Sequence, residues 1–137
     1  MAEHLDILIV DDEPIVGDRL SSFLHKDGHR VESFTEPTEA LARLRDKAFD
    51  VVISDIRMGE IDGMQVMEKV FEGSPRTKMV MITGYATLEL ARESLTKGAF
   101  DFIAKPFKLK EIRRTIQKAA AALGEPARVT PNDAAAI

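Results

Sequence analysis

The run Ile7-Leu8-Ile9-Val10-Asp11-Asp12-Glu13-Pro14 sets the reading of the whole chain. Four branched apolar residues that pass straight into acids read as a short strand buried on both faces, the pattern of a parallel sheet. Val51-Val52-Ile53-Ser54 passes into Asp55 in the same way. Neighbouring parallel strands open at one edge of the sheet, and that carboxyl edge is where open α/β sheets bind ligands. Asp11, Asp12 and Asp55 are therefore expected to converge in one crevice. At an effective dielectric near 20, two such charges ~4 Å apart repel by roughly 4 kcal/mol. A proton or a cation must join them, and a hard, oxygen-preferring divalent ion suits the donors. The reading requires the three carboxylates to face one another and Asp55 to be within reach of solvent.

Outward from these two runs, strand-like and helix-period segments alternate five times. The strands are expected at Asp6 to Val10, Arg30 to Phe34, Val51 to Ser54, Lys78 to Thr83 and Asp101 to Ala104. Ile15, Leu20, Phe23 and Leu24 make the apolar stripe of the first helix, which Gly28 ends. The second starts near Pro37, a good first-turn residue, and the third follows Gly63. The fourth spans roughly Leu88 to Lys97, and the fifth runs from about Leu109 to Leu123 with Ile112, Ile116 and Ala120 on one face. Alternation of this kind means right-handed βαβ units and a parallel sheet covered by helices on both sides. The pattern stops near Gly124, so residues 1–123 are expected to form one domain and 124–137 a flexible tail or the start of a linker.

Bulk composition narrows the function. The chain has 137 residues, 45% hydrophobic and 31% charged, which suits one ordinary core. A net charge of −4 leaves no basic footprint, so direct nucleic-acid binding is not expected. There is no cysteine, which removes disulfides, thiolate metal sites and a Cys nucleophile and suits a reducing cytosol. The segment Met1-Ala2-Glu3-His4 lacks the basic start of a signal peptide, and no stretch approaches membrane-spanning length. A cytoplasmic chain is the expectation.

Two further strand ends bring chemistry to the same edge. Met79-Val80-Met81-Ile82 ends at Thr83-Gly84-Tyr85, and Phe102-Ile103-Ala104 ends at Lys105-Pro106-Phe107. The edge would then present three carboxylates, a hydroxyl and an ammonium. That set suits phosphoryl acceptance: a carboxylate can act as nucleophile, a divalent ion offsets charge on the incoming oxygens, and Lys and Thr can donate hydrogen bonds. Taken singly each residue has a plainer reading. Asp12 before Glu13-Pro14 would suit a helix N-cap, and Lys105-Pro106 a turn. Coincidence of five such residues at four matching strand ends is what the plain readings do not explain.

The runs Asp11-Asp12-Glu13-Pro14, Asp55-Ile56-Arg57-Met58 with Asp62-Gly63, Thr83-Gly84-Tyr85 and Lys105-Pro106-Phe107 together resemble the receiver domains of two-component response regulators, over about Leu5 to Leu123. The stretch from Ile82 to Phe107 looks nearest to receivers of NtrC-type transcriptional activators. The resemblance implies a flavodoxin-like, doubly wound (βα)5 fold with a five-stranded parallel sheet of order 2-1-3-4-5. It makes Asp55 the phosphoacceptor and gives Mg²⁺, with Mn²⁺ as a substitute, the ligands Asp11, Asp12, Asp55 and the main-chain carbonyl of Arg57. Thr83 and Lys105 would bind the phosphoryl group, Tyr85 would swing inward on activation, and the Lys105-Pro106 peptide would be cis. One position departs from the pattern: receivers usually carry proline after the methionine of this loop, and Gly59 follows Met58 here, which points to a more mobile loop.

The implied partners are a histidine kinase, an output domain or downstream protein, and a second copy of the chain joined through the fourth helix, fifth strand and fifth helix on phosphorylation. Leu88, Leu90, Arg92, Asp101 and Arg113 are candidates on that surface, with Leu90 off the core stripe of its helix. The histidines have plain readings. His25 and His29 flank Gly28, where imidazolium suits a helix C-terminus, and His4 sits in a fraying terminus. Two other functions compete. A Mg²⁺-dependent phosphatase or phosphotransferase of haloacid dehalogenase type would need Asp-x-Asp after the first strand, and this chain has adjacent Asp11-Asp12. A flavodoxin-type FMN module would need a hydroxyl- and glycine-rich loop there, and Asp-Asp-Glu-Pro would repel the phosphate. The expected activity is phosphoacceptance for signalling, without turnover of a substrate.

Overall fold

A computed structural model describes residues 4–124. The elements follow in strict alternation: β1 (Asp6–Val10), α1 (Pro14–Lys26), β2 (Arg30–Phe34), α2 (Pro37–Asp46), β3 (Val51–Asp55), α3 (Gly63–Gly73), β4 (Lys78–Thr83), α4 (Leu88–Thr96), β5 (Asp101–Ala104) and α5 (Leu109–Gly124). The five strands form one sheet of order β2-β1-β3-β4-β5 with every pair parallel. Strand bounds match the expected ones, except that β3 continues through Asp55. Apart from Gly124, the last residue of α5, the expected tail at 124–137 lies outside the described residues.

The period of two along a strand sends alternate side chains to opposite faces. Ile7, Ile9, Val51, Ile53, Val80 and Ile82 meet Leu20 and Leu24 of α1 and Ile112 and Ile116 of α5. Leu8, Val10, Val52, Met79 and Met81 meet Ala40 of α2 and Val66, Met67 and Val70 of α3. Two cores thus sandwich the sheet, and β3 is buried along its full length. Each fully buried Ile or Leu contributes on the order of 1.5–3 kcal/mol relative to exposure, so the sheet is the rigid platform of the molecule.

Local signals fix where helices begin. α1 and α2 both start with proline, whose set φ and missing N–H suit a first turn. α3 has a full capping box: the Asp62 carboxylate accepts from the Gln65 amide at 3.0 Å, and the Gln65 side chain accepts from the Asp62 amide at 2.8 Å. Thr87 caps α4 by accepting from the Leu90 amide at 3.1 Å. Gly63 allows α3 to start hard against the end of β3, since a Cβ there would lie 2.5 Å from the Asp55 carbonyl oxygen and 2.9 Å from the Ile56 Cα.

Several side chains depart from the expected pattern. Ile15 is 74% exposed, because the buried face of α1 runs through Gly17, Leu20 and Leu24, and Ile15 sits two residues off it. Leu90 is half-buried and packs on the second core, so it is not a free contact; Leu88 and Leu95 are the exposed leucines of α4. Arg113 is committed within the chain, donating to both carboxylate oxygens of Asp27 at 2.9 and 3.0 Å and lying 4.7 Å over the Phe23 ring. Asp101 also turns inward, accepting from the Phe102 amide at 2.8 Å and the Thr115 hydroxyl at 2.9 Å.

Two of the three histidines differ from expectation, while His25 lies in the last turn of α1 as expected. His29 is half-buried, and burial holds its imidazole below the usual histidine range against the pull of Asp27. Its Nδ1 accepts from the Leu5 amide at 3.2 Å, so it is a neutral acceptor. His4 is tied to the Gly28 carbonyl instead of fraying.

Candidate functional site

Register brings the site together. Val10 pairs with Ser54, Asp55 with Ile82, and Thr83 with Ala104. The residues just past those positions, Asp11, Asp55, Thr83 and Lys105, therefore share the carboxyl edge of the three neighbouring central strands and β5. Carboxylate oxygens of Asp11, Asp12 and Asp55 lie within 4.8 Å of one another. Asp11 is buried and Asp12 exposed. Asp55 is 5% exposed but lines an open cavity of about 960 Å³ with Asp12, Glu13, Arg57, Tyr85 and Lys105. Most of Asp55 is therefore inside, with its access to solvent through that cavity.

Lys105 is the counter-charge. Its Nζ donates to Asp55 Oδ2 at 2.9 Å and to Glu13 Oε1 at 2.7 Å, and lies 2.9 Å from Asp11 Oδ2. Burial alone would lower the lysine pKa, but its contacts with Glu13, Asp11 and Asp55 outweigh burial and raise it above the ordinary value. Asp11 shows the opposite balance. Burial pushes its carboxyl up, and repulsion from Asp55 adds to this, while the Glu13 amide and Lys105 pull the other way. The Glu13 amide donates to Asp11 Oδ1 at 2.9 Å. Asp11 Oδ2 is buried with no well-aligned hydrogen bond, despite its closeness to the ammonium. That oxygen has only an off-axis ammonium beside it, and in a set of three converging carboxylates it fits a hard divalent cation.

The remaining expected residues lie around this centre. Thr83 is fully buried, and its hydroxyl oxygen accepts from the Tyr85 amide at 3.1 Å. Tyr85 is 64% exposed and turned outward, with the Arg57 guanidinium 4.8 Å from its ring centre. The Arg57 amide donates to Asp55 Oδ1 at 3.2 Å. The Lys105–Pro106 peptide is cis. Asp12 is not the cap of α1; Glu13 occupies that position, and its side chain caps nothing. Glu13 is the site residue that the sequence left without a role, and its place beside the acid pair was the available signal. Gly59 adopts φ +83°, a left-handed conformation that proline cannot take. The missing proline therefore marks a specific turn, not only a looser one.

The sequence pattern of the response regulator receiver domain matches residues 7–117. The chain belongs to that family. Receiver domains are signalling domains of two-component systems, and the haloacid dehalogenase reading is not favoured. Among curated relatives, this receiver is 33% identical to the transcriptional regulatory protein ZraR of Salmonella typhimurium over 132 residues, covering 96% of this chain and 30% of ZraR. It is 39% identical to the regulatory protein AtoC of Escherichia coli over 113 residues, covering 82% of this chain and 24% of AtoC. It thus spans less than a third of the length of these relatives. Among solved structures, a CheY-like receiver domain protein from Methanospirillum hungatei superposes with a TM-score of 0.83 at 30% identity, over 88% of this chain and 97% of that one. NtrX from Brucella abortus gives a TM-score of 0.83 at 31% identity over 88% of this receiver and 28% of NtrX. Among the described residues, no helix is long and apolar enough to cross a membrane.

Proposed function

We propose that this receiver accepts a phosphoryl group on Asp55 from the phosphohistidine of a histidine kinase. The observation that carries the reading is the meeting of Asp11, Asp12 and Asp55 with the Lys105 ammonium at one strand edge. An Asp55 carboxylate oxygen attacks phosphorus, the P–N bond to the donor imidazole breaks, and the imidazole leaves with the electron pair; the product is an acyl phosphate. Asp11, Asp12, Asp55 and the Arg57 main-chain carbonyl would hold Mg²⁺, or Mn²⁺ in its place, and Thr83 and Lys105 would bind the transferred oxygens. The cation supplies charge neutralisation for the phosphoryl oxygens. Lys105 keeps its proton throughout, since its contacts raise its pKa. The Thr83 hydroxyl accepts from the Tyr85 amide and still has its O–H to donate; a rotation that carries it toward the phosphoryl group would give up the amide bond and leave Tyr85 room to turn inward.

Phosphorylation adds about 1.5–2 negative charges at Asp55. The proposed readout is the α4-β5-α5 surface, acting on an output domain or downstream protein and pairing two copies of the chain. Exposed Leu88 and Arg92 remain candidates there, whereas Asp101 and Arg113 act first as internal ties. Residues 1–123 would be the signalling unit and 124–137 a flexible tail or the start of a linker, in a cytoplasmic chain that regulates transcription, the role the name of ZraR gives that relative. The test is intact mass after incubation with Mg²⁺ and acetyl phosphate. A labile adduct of one phosphate, absent in Asp55→Asn, is expected; no adduct, or an adduct that survives Asp55→Asn, overturns the reading.

A further inference from the structure

Glu13 has no part in the chemistry above, yet it makes the shortest contact to Lys105, 2.7 Å against 2.9 Å for Asp55 and for Asp11. An ammonium has three N–H donors; Glu13 and Asp55 take two in hydrogen bonds, and Asp11 Oδ2 at 2.9 Å, though off the bond axis, crowds the third. A phosphoryl oxygen that binds Lys105 must displace one of these carboxylates. Asp11 is a poor candidate: its side chain is fully buried, and without the ammonium it would keep only the Glu13 amide against the repulsion of Asp55. Asp55 carries the incoming group and stays close. Glu13 is different, because its side chain is 59% exposed and regains water on release. Its backbone does not have to move, being pinned by the amide hydrogen bond to Asp11 Oδ1 and by its place at the start of α1.

We infer that Glu13 is a positioning residue: a stand-in anion that aims the Lys105 ammonium in the resting receiver and leaves when the phosphoryl group arrives. This rests on the reading of Asp55 and Lys105 given above. Glu13 then sets how strongly the site holds a phosphoryl group, because every binding event first breaks its ion pair.

The probe is beryllofluoride at saturating Mg²⁺, titrated into the full chain. Tyr85 is the only tyrosine and there is no tryptophan, so tyrosine fluorescence reports the site directly. Glu13→Gln is expected to bind beryllofluoride about threefold to fivefold tighter than wild type, the scale of an exposed ion pair. Glu39→Gln removes the same charge from exposed α2 and is expected to leave the affinity unchanged. In wild type, the Glu13 carboxyl carbon signal should move to the position of a free carboxylate as beryllofluoride binds, a readout that bulk charge does not move. Unchanged or weaker binding by Glu13→Gln, or a Glu13 signal that stays in place, overturns the inference alone. If wild type itself takes no beryllofluoride, the phosphoacceptor reading fails and this inference falls with it.

Discussion

The Arg57 guanidinium lies 4.8 Å from the centre of the Tyr85 ring, joining the loop after β3 to the loop after β4 across the mouth of the acidic cavity. An exposed cation–π contact of this kind contributes about 0.5–1 kcal/mol. It favours the outward ring while the Tyr85 amide holds the Thr83 hydroxyl. Arg57→Ala should release the ring. The expected outcome is a resting tyrosine fluorescence shifted toward the beryllofluoride-bound value, with binding tightened by no more than about fivefold. An unaltered resting signal would show that Arg57 does not restrain Tyr85.

The loop after β3 depends on Gly59 at φ +83°. Proline fixes φ near −65°, so restoring the family's usual residue forces a different turn. Gly59→Pro should lower the unfolding free energy by about 1–3 kcal/mol and weaken the response to Mg²⁺, because buried Met58 and the Arg57 backbone beside Asp55 belong to the same turn. Urea denaturation with and without Mg²⁺ checks both parts. Gly59→Ala should cost about 1 kcal/mol. Equal stability of wild type and Gly59→Pro would contradict the turn described here.

Burial and Asp55 both disfavour the charged form of Asp11. A carboxyl whose folded pKa is raised stabilises below its unfolded pKa, and that contribution is lost as pH rises through the folded value. Metal-free wild type should therefore carry a penalty at pH 7 that Asp11→Asn lacks, making the variant more stable by about 1–2 kcal/mol in chelator. Mg²⁺ should raise the melting temperature of wild type and leave Asp11→Asn nearly unchanged. Calorimetry under the two conditions gives the answer.

His29 has the opposite linkage. Burial lowers its folded pKa, so its contribution is present above the ordinary histidine value of roughly 6.5 and is lost as pH falls through it. Protonation also removes the acceptor for the Leu5 amide. Stability should fall as the pH is lowered from about 7.5 to about 5.5. His29→Gln, which cannot titrate, should flatten that slope in equilibrium unfolding curves; an identical slope would assign it to other groups.

The sheet and the acidic edge were legible in the sequence because both depend on short-range patterns. Buried parallel strands are continuous apolar runs, and Asp11, Asp55, Thr83 and Lys105 follow them directly. The surface was harder to read, because apolar period does not say which stripe faces inward. On α4 the inward position is Ser94, which satisfies itself by donating to the Ala91 carbonyl at 3.0 Å; Leu90, one turn before it, is therefore turned toward the core. Ion pairs across long sequence gaps were also out of reach. Arg113 and Asp27 are 86 residues apart, and Lys105 and Glu13 are 92 apart. Only the packing of α5 beside α1 and the parallel pairing of β1, β3, β4 and β5 bring them together.

α5 starts four residues beyond Lys105 and ends near the opposite edge of the sheet, where the Arg76 guanidinium donates to the Leu123 carbonyl at 3.3 Å. Sixteen helical residues span about 24 Å. A displacement of Lys105 thus acts on one end of a stiff rod, and the segment that follows Gly124 joins its far end. Mechanically, such a rod transmits tilt or rotation, so small angular changes at the acidic edge become larger excursions where the rest of the polypeptide is attached.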